Sequence, residues 1–174
     1  MNGTIRITDA EPTHLAEILK KLKNTGCIVK VEEKDIYLKA PQRLNAVDIE
    51  TEPYPGFPTD MQSIFASTLI KAKGESRITE NIFENRYKYV NELIKMGANI
   101  IQEDRKLKIT GEKNIKATNL KSMDLRGGAA LIIAALQAEG NSEISNIEYV
   151  LRGYEKIDEK LRGLGAKISI EEGE

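Results

Sequence analysis

Residues 98–111 read ANIIQEDRKLKITG, two runs of alternating apolar and polar side chains on either side of a charged turn. Such alternation is typical of half-buried strands, so this stretch predicts a pair of strands. A helical run, residues 89–95, and then Gly97 precede it. Helix, glycine and paired strands together predict a small α/β unit.

The same order occurs twice more, at residues 15–23, Gly26 and CIVKVEEKDIYLKA (27–40), and at residues 157–162, Gly165 and AKISIEEGE (166–174). The three glycines stand 71 and 68 residues apart, a spacing that suits a repeated α/β unit. Three stacked copies should form one compact body. We expect repeats at about residues 1–50, 51–115 and 116–174.

Further strands and two helices are predicted upstream of the glycines. The strand-like stretches are GTIRITDA (3–10), GESRITENI (74–82) and GNSEISNI (140–147). The helices cover residues 60–73 and 124–139, with apolar residues at the 3.6-residue period and an aspartate suited to an N-cap at each start. The first copy has no such helix. We therefore expect a piece of a longer protein with uncovered apolar surface, and marginal stability or self-association.

Composition narrows the function classes. Of the 174 residues, 40% are apolar and 30% are charged, and the net charge of -1 argues against a general nucleic-acid binder. The apolar run at residues 129–136 is too short to cross a membrane. Cys27 is the single cysteine, so no internal disulfide can form, and it is expected to be a buried packing residue. The simplest interpretation is a reducing, cytoplasmic setting.

The most unusual segment is PYPGFPTDMQ, residues 53–62, which holds three of the five prolines. It predicts a stiff, extended approach to the helix that Asp60 begins. From the residues alone, Asp60 is interpreted first as an N-cap. The functional alternative is a carboxylate presented beside a site, where it orients or deprotonates a hydroxyl group. A helix N-terminus would stabilise its ionised form and make it a weak base.

Four ordered segments resemble one family: PYPGFPTDMQ, NIFENR (81–86), DLR (124–126) and RGYEKIDEKLRGLGA (152–166). That family is UDP-N-acetylglucosamine 1-carboxyvinyltransferase, and the resemblance covers essentially the whole chain. It implies an α/β fold, an inside-out α/β barrel of two lobes. Each lobe holds three small α/β subdomains around buried helices, with the active site in the cleft between the lobes. This chain resembles the C-terminal lobe, with its first subdomain truncated.

The resemblance also implies a reaction. In this family the enolpyruvyl group of phosphoenolpyruvate moves to the 3-hydroxyl of UDP-N-acetylglucosamine by addition and elimination, the first committed step of peptidoglycan synthesis. No cofactor, metal, nucleic acid or membrane is implied. The reactive cysteine loop belongs to the N-terminal lobe of the same protein, which this sequence does not contain. The chain alone is therefore expected to turn over little or no substrate.

The family pattern assigns roles to seven residues. Asp60 would contact the 3-hydroxyl and act as its base, Ile82 would touch the UDP-sugar through its backbone, and Phe83 would pack beside that sugar. The others would face phosphoenolpyruvate, close the cleft or support those that do: Arg86, Asp124, Arg126 and Arg152. Guanidinium groups suit a phosphate and a carboxylate because they donate paired hydrogen bonds. Each of the three arginines is expected near the start of a repeat helix, at the same end of its unit.

The glycine pair after Arg126 adds one more structural expectation. Gly127 and Gly128 weaken a helix by about 1 kcal/mol each, so we expect close approach of another helix there.

Three alternative functions remain open. One alternative is the related 3-phosphoshikimate enolpyruvyl transferase, and the segments GFPTDMQ and IFENR argue against it. A second is a stand-alone, non-catalytic binding module. RNA binding is a third, disfavoured by the neutral charge and the lack of an aromatic-rich strand.

Overall fold

The computed structural model describes residues 3–171, which form three separate sheets. The first sheet is antiparallel in the order β1-β3-β2, with β1 at Thr4–Ile7, β2 at Ile28–Glu32 and β3 at Asp35–Lys39. Helix α1, Ala16–Asn24, precedes the β2–β3 hairpin. The helix and the hairpin predicted for the first copy are confirmed.

The second sheet has four strands in the order β4-β5-β7-β6. These are β4 at Ile49–Glu50, β5 at Glu75–Thr79, β6 at Asn99–Glu103 and β7 at Lys106–Thr110. β4 runs parallel to β5, and the other pairs are antiparallel. Helix α2, Gln62–Leu69, lies between β4 and β5, and α3, Val90–Lys95, lies between β5 and β6.

The regular structure of the third copy is mainly helical. Its two short strands, β8 at Asn119–Lys121 and β9 at Glu143–Ser145, pair in parallel. Its helices are α4 at Leu125–Ala135, α5 at Glu148–Leu151 and α6 at Ile157–Gly163. The strand predicted from residue 166 onwards is wrong up to residue 171, and the rest lies outside the described residues. In the other copies two alternating runs pair with each other, whereas residues 166–171 pair with no strand of the described part of the chain.

Helices α2 and α4 form the centre of the molecule. Most of their residues are buried, and they pack against each other, with the Ser63 hydroxyl donating to the Arg126 carbonyl at 3.0 Å. In the second sheet β5 and β7 alternate buried and exposed residues, so one face of that sheet packs inward. The outer helices α1 and α6 have no fully buried residue. The predicted arrangement of α/β units around buried helices is confirmed.

Close packing explains the glycine pair in α4. A Cβ on Gly128 would lie 2.4 Å from both Ser122 Oγ and Val150 Cγ2, and Val150 belongs to α5. Gly127 is less constrained, with its nearest neighbours 3.2 Å or more away. The predicted approach of a second helix is thus confirmed for Gly128.

Two other expectations can be compared with the described residues. Cys27 is buried with 7% exposure, as expected of a packing residue. Within residues 3–171 no helix has both the length and the apolar character needed to cross a membrane.

Candidate active site

A single carboxylate joins two arginines at the N-terminal end of α2. Asp60 lies in the 3₁₀ turn Thr59–Met61 that leads into the helix. Its Oδ1 accepts a hydrogen bond from Arg86 Nη2, and its Oδ2 accepts one from Arg126 Nη2 at 2.6 Å. The Asp60 side chain is 51% exposed, whereas those of Arg86 and Arg126 are 14% and 29% exposed. The arginines are anchored in the protein and the carboxylate faces solvent.

This geometry corrects the prediction that Asp60 caps α2. Pro58 occupies the position before the turn, and no side chain caps the turn or α2. The two guanidinium groups offer full positive charges as well as hydrogen bonds, which neutral backbone N–H groups do not, so the arginines outcompete the backbone for Asp60. Asp124 does cap α4, accepting from the Gly127 N–H at 2.7 Å. The two aspartates begin equivalent helices but have different partners.

The proline-rich segment is not the extended approach that the sequence predicted. The Gly56 N–H donates to the Pro53 carbonyl at 2.8 Å, which closes a tight turn. Thr51 and Phe57 then form a parallel bridge across the base of that turn. The prolines therefore shape a compact loop whose end delivers Asp60 to the arginines.

The arginines set the charge state of Asp60. Partial burial raises the pKa of its carboxyl group, but the hydrogen bond from Arg126 and the positive charges of Arg126 and Arg86 lower it by more. The net pKa lies below the ordinary aspartate value. For Arg126, burial lowers the pKa, and the hydrogen bonds to Tyr154 and Asp60 raise it above its ordinary value. At neutral pH the cluster is one anion between two cations.

Each arginine is held by an aromatic ring as well. The Arg86 guanidinium lies over the Phe83 ring, 4.7 Å from its centre. Arg126, in the first turn of α4, donates from Nη1 to the Tyr154 hydroxyl at 2.8 Å. The sequence did not predict a role for Tyr154. Its position two residues after Arg152, inside one of the matching segments, was the only available signal.

Arg152 does not join the cluster. It lies between α5 and α6, and it is exposed, with its guanidinium 5.7 Å from the centre of the Tyr149 ring. Like Arg86 before α3, Arg152 stands shortly before its repeat helix, but the site brings Arg86 and Arg126 together without it. The chain turns back after Arg152, so that Tyr154 contacts Arg126 while Arg152 stays outside the cluster.

The turn after β5 carries the two predicted sugar contacts, Ile82 and Phe83, which are 39% and 53% exposed. Both of their backbone N–H groups are taken by Glu80, at 2.9 and 3.0 Å. The backbone group that Ile82 can offer to a ligand is therefore its carbonyl oxygen. Large exposed apolar side chains next to a charged cluster are suited to packing against a ligand.

Glu80 is a second residue of this site whose role the sequence did not predict. It is 1% exposed, and besides the two N–H groups it accepts from the hydroxyls of Thr51 and Thr59, each at 2.9 Å. A glutamate between polar neighbours at a strand end resembles an ordinary surface residue. Its two N–H donors are local, but its two hydroxyl donors lie 21 and 29 residues away, so no local pattern predicts that this glutamate is buried.

The chain matches known enolpyruvyl transferases along nearly its full length. A family profile described as EPSP synthase (3-phosphoshikimate 1-carboxyvinyltransferase) matches residues 1–161. A UDP-N-acetylglucosamine 1-carboxyvinyltransferase 1 from Caldanaerobacter subterraneus is 46% identical over 95% of this chain and 40% of its own length. The protein of that name from Desulfofundulus thermocisternus is 43% identical, over 95% of this chain and 68% of its own length.

Solved structures agree with this match. The enolpyruvyl transferase NikO from Streptomyces tendae superposes with a TM-score of 0.84 at 27% identity, covering 94% of this chain and 39% of its own. An EPSP synthase from Acinetobacter baumannii, at 19% identity and a TM-score of 0.72, shares the fold. The chain spans about 40% of the length of most of the curated relatives it matches. It belongs to the EPSP synthase family of enolpyruvyl transferases, among the members named UDP-N-acetylglucosamine 1-carboxyvinyltransferase.

Proposed function

We propose that this chain is part of a transferase that moves the enolpyruvyl group of phosphoenolpyruvate to the 3-hydroxyl of UDP-N-acetylglucosamine. The observation that carries the proposal is the half-exposed Asp60 carboxylate between two anchored arginines. The names of relatives at 43–46% identity support this choice of substrates. A cluster of this kind can grip an anionic substrate and offer a proton acceptor to a second substrate beside it.

In the proposed reaction the arginines act before Asp60 does. Arg86 and Arg126 exchange part of their contact with Asp60 for the phosphate or carboxylate of phosphoenolpyruvate. Asp60 then loses the positive charges that lower its pKa, and it becomes a stronger base. Binding of the anion therefore prepares the carboxylate for proton transfer.

The chemistry then follows the addition and elimination expected of the family. The sugar oxygen bonds to C2 of phosphoenolpyruvate, its proton passes to Asp60, and C3 gains a proton from an acidic group that the N-terminal lobe would supply. The same group would take a proton back from C3 in the elimination. Elimination removes a proton from C3, breaks the bond between C2 and the phosphate oxygen, and restores the double bond. Within this chain the task of Asp60 is to accept the hydroxyl proton.

The remaining predicted residues surround this centre. The Ile82 carbonyl and the Phe83 ring would contact the UDP-sugar, which their exposure permits. Asp124 supports Arg126 indirectly, since it caps the helix that carries it. Arg152 would close over phosphoenolpyruvate, and its marginal position makes it dependent on a movement of its segment.

The setting of the reaction is part of the same proposal. Residues 1–174 would form the C-terminal lobe, with repeats at about 1–50, 51–115 and 116–174, and an N-terminal lobe would supply the reactive cysteine. The transferase would work in peptidoglycan synthesis in the cytoplasm. The isolated chain would bind the UDP-sugar and turn over little or none of it.

The test is Asp60→Asn in the complete transferase that contains this lobe, with phosphate release as the readout. We expect the turnover number to fall by roughly 10²-fold or more, because a positioned general base contributes about that much. The KM for the UDP-sugar should change much less. The control is Asp158→Asn, which removes a carboxylate paired with Arg162 on α6. An unchanged turnover number would rule out the base role of Asp60.

Assays of the same transferase distinguish catalysis from the alternative of a binding module without catalysis. If the unaltered transferase binds UDP-N-acetylglucosamine but releases no phosphate from phosphoenolpyruvate, the catalytic proposal fails and the binding module remains. Activity with 3-phosphoshikimate in place of the UDP-sugar would instead support the related transferase as the alternative.

A further inference from the structure

Glu80 has no part in the proposed chemistry, and yet it is the most completely hydrogen-bonded carboxylate near the site. Its Oε1 accepts from the Thr51 hydroxyl and from the N–H groups of Ile82 and Phe83, and its Oε2 accepts from the Thr59 hydroxyl. Burying a carboxylate is costly unless all its acceptor positions are used. Four converging donors meet that requirement.

The four donors come from the two segments that carry the site, which we call its arms. One arm is residues 51–60, which ends at Asp60, and the other is the turn at residues 81–83. Thr59 immediately precedes Asp60 in the 3₁₀ turn, so Oε2 holds the arm that carries the carboxylate. Oε1 holds the turn at residues 81–83, which carries the exposed pair proposed to contact the sugar. The Asn81 N–H completes this network by donating to the Thr51 hydroxyl at 2.8 Å. Three successive N–H groups of the turn are thus fixed.

Arg86 closes the connection from the other side. It lies over the Phe83 ring and also donates to Asp60. Glu80, Thr59, Asp60, Arg86 and Phe83 therefore form a closed ring of contacts. In such a ring neither arm can shift relative to the other without breaking at least one contact.

We propose that Glu80 is a positioning residue that fixes the spacing between Asp60 and the turn at residues 81–83. The spacing would decide whether a sugar packed against this turn has its hydroxyl at the Asp60 carboxylate. The identity of the ligand in this proposal, UDP-N-acetylglucosamine, rests on the proposed function. The ring of contacts itself does not depend on that function.

A second buried carboxylate supplies a matched control. Glu92 is 7% exposed and accepts from the Lys121 N–H at 2.9 Å and from Lys95 Nζ at 2.6 Å. It lies in α3, and its side-chain partners among the described residues, Lys95 and Lys121, belong to neither arm of the site. If Glu80 serves only general stability, Glu80→Ala and Glu92→Ala should have similar local and global effects.

The first experiment measures amide hydrogen exchange of the purified chain by NMR. We expect Glu80→Ala to speed exchange at Ile82 and Phe83 by about tenfold or more, because both N–H groups lose a charged acceptor. Glu80→Gln, which keeps one carbonyl oxygen, should have a smaller effect, and Glu92→Ala should leave these two amides unchanged. Unchanged exchange in Glu80→Ala, or an equal change in Glu92→Ala, would overturn the proposal.

The second experiment measures binding of UDP-N-acetylglucosamine to the same variants by calorimetry. Thr59→Val cuts only the Oε2 contact, so it should weaken binding by about threefold to tenfold while exchange at Ile82 and Phe83 stays slow. This variant, together with Glu80→Gln, carries the test if Glu80→Ala does not fold. Undiminished binding in both would overturn the proposal. If the unaltered chain does not bind UDP-N-acetylglucosamine, the proposed ligand is wrong. The exchange data alone then decide whether Glu80 is a positioning residue.

Discussion

Removing the charge of Asp60 should strengthen binding of anions to this chain. Asp60 occupies the donors of Arg86 and Arg126 that an anionic ligand would use, and its own negative charge repels such a ligand. Asp60→Asn keeps the shape of the side chain and removes the charge. The two arginines are then left with unbalanced positive charge at a solvent-exposed position.

The structure sets the size of the effect. Two unit charges about 4 Å apart interact by roughly 1 kcal/mol in water and about 4 kcal/mol at a typical protein surface. The Asp60 side chain is 51% exposed, so the lower part of this range applies. We therefore expect a gain of about 1.4 kcal/mol, which is a tenfold lower Kd for phosphoenolpyruvate or inorganic phosphate.

Calorimetric titration of the purified chain measures this directly. The gain should shrink at about 1 M salt, where charges are screened within roughly 3 Å. Asp35→Asn is the control, since Asp35 forms a comparable pair with Arg6 in the first sheet. Equal or weaker anion binding by Asp60→Asn, or an equal gain in the control, would refute the reasoning.

Three further predictions concern stability, measured by chemical denaturation. Gly128→Ala should lower the free energy of unfolding by about 1–3 kcal/mol, because its Cβ would overlap side chains 2.4 Å away, whereas Gly163→Ala has open space and should not lower it. Tyr154→Phe should cost about 0.5–1.5 kcal/mol through the lost acceptor for Arg126, and no loss would argue against that contact. Because the folded-state pKa of Asp60 is lowered, its stabilisation should be complete above about pH 4 and lost as the pH falls further. The difference in stability between the parent chain and Asp60→Asn should disappear in acid, and a difference that grows there would contradict the pKa direction.

Local patterns were enough to predict the units of the fold. The hairpin at residues 98–111 and the cap of α4 by Asp124 depend on neighbours a few residues apart, so both could be predicted from the sequence. The final strand failed because alternation alone does not supply a pairing partner. A strand needs a second strand as well as a favourable pattern.

The candidate site depended on contacts that no local pattern contains. Asp60 follows the rule for a helix cap, but its partners Arg86 and Arg126 lie 26 and 66 residues away. The resemblance to a family identified these three residues, and it did not identify their pairing. Tyr154 was missed because its partner Arg126 lies 28 residues away, and Glu80 was missed because its two hydroxyl donors lie 21 and 29 residues away.

The central claim is that the Asp60 cluster and the turn at residues 81–83 bind UDP-N-acetylglucosamine. The most direct test is an NMR titration of the isotopically labelled chain with this ligand. The account predicts saturable shifts at the amides of residues 60, 82, 83 and 126. No saturable shifts, or shifts confined to the opposite ends of α2 and α4 near Lys71 and Gln137, would contradict it.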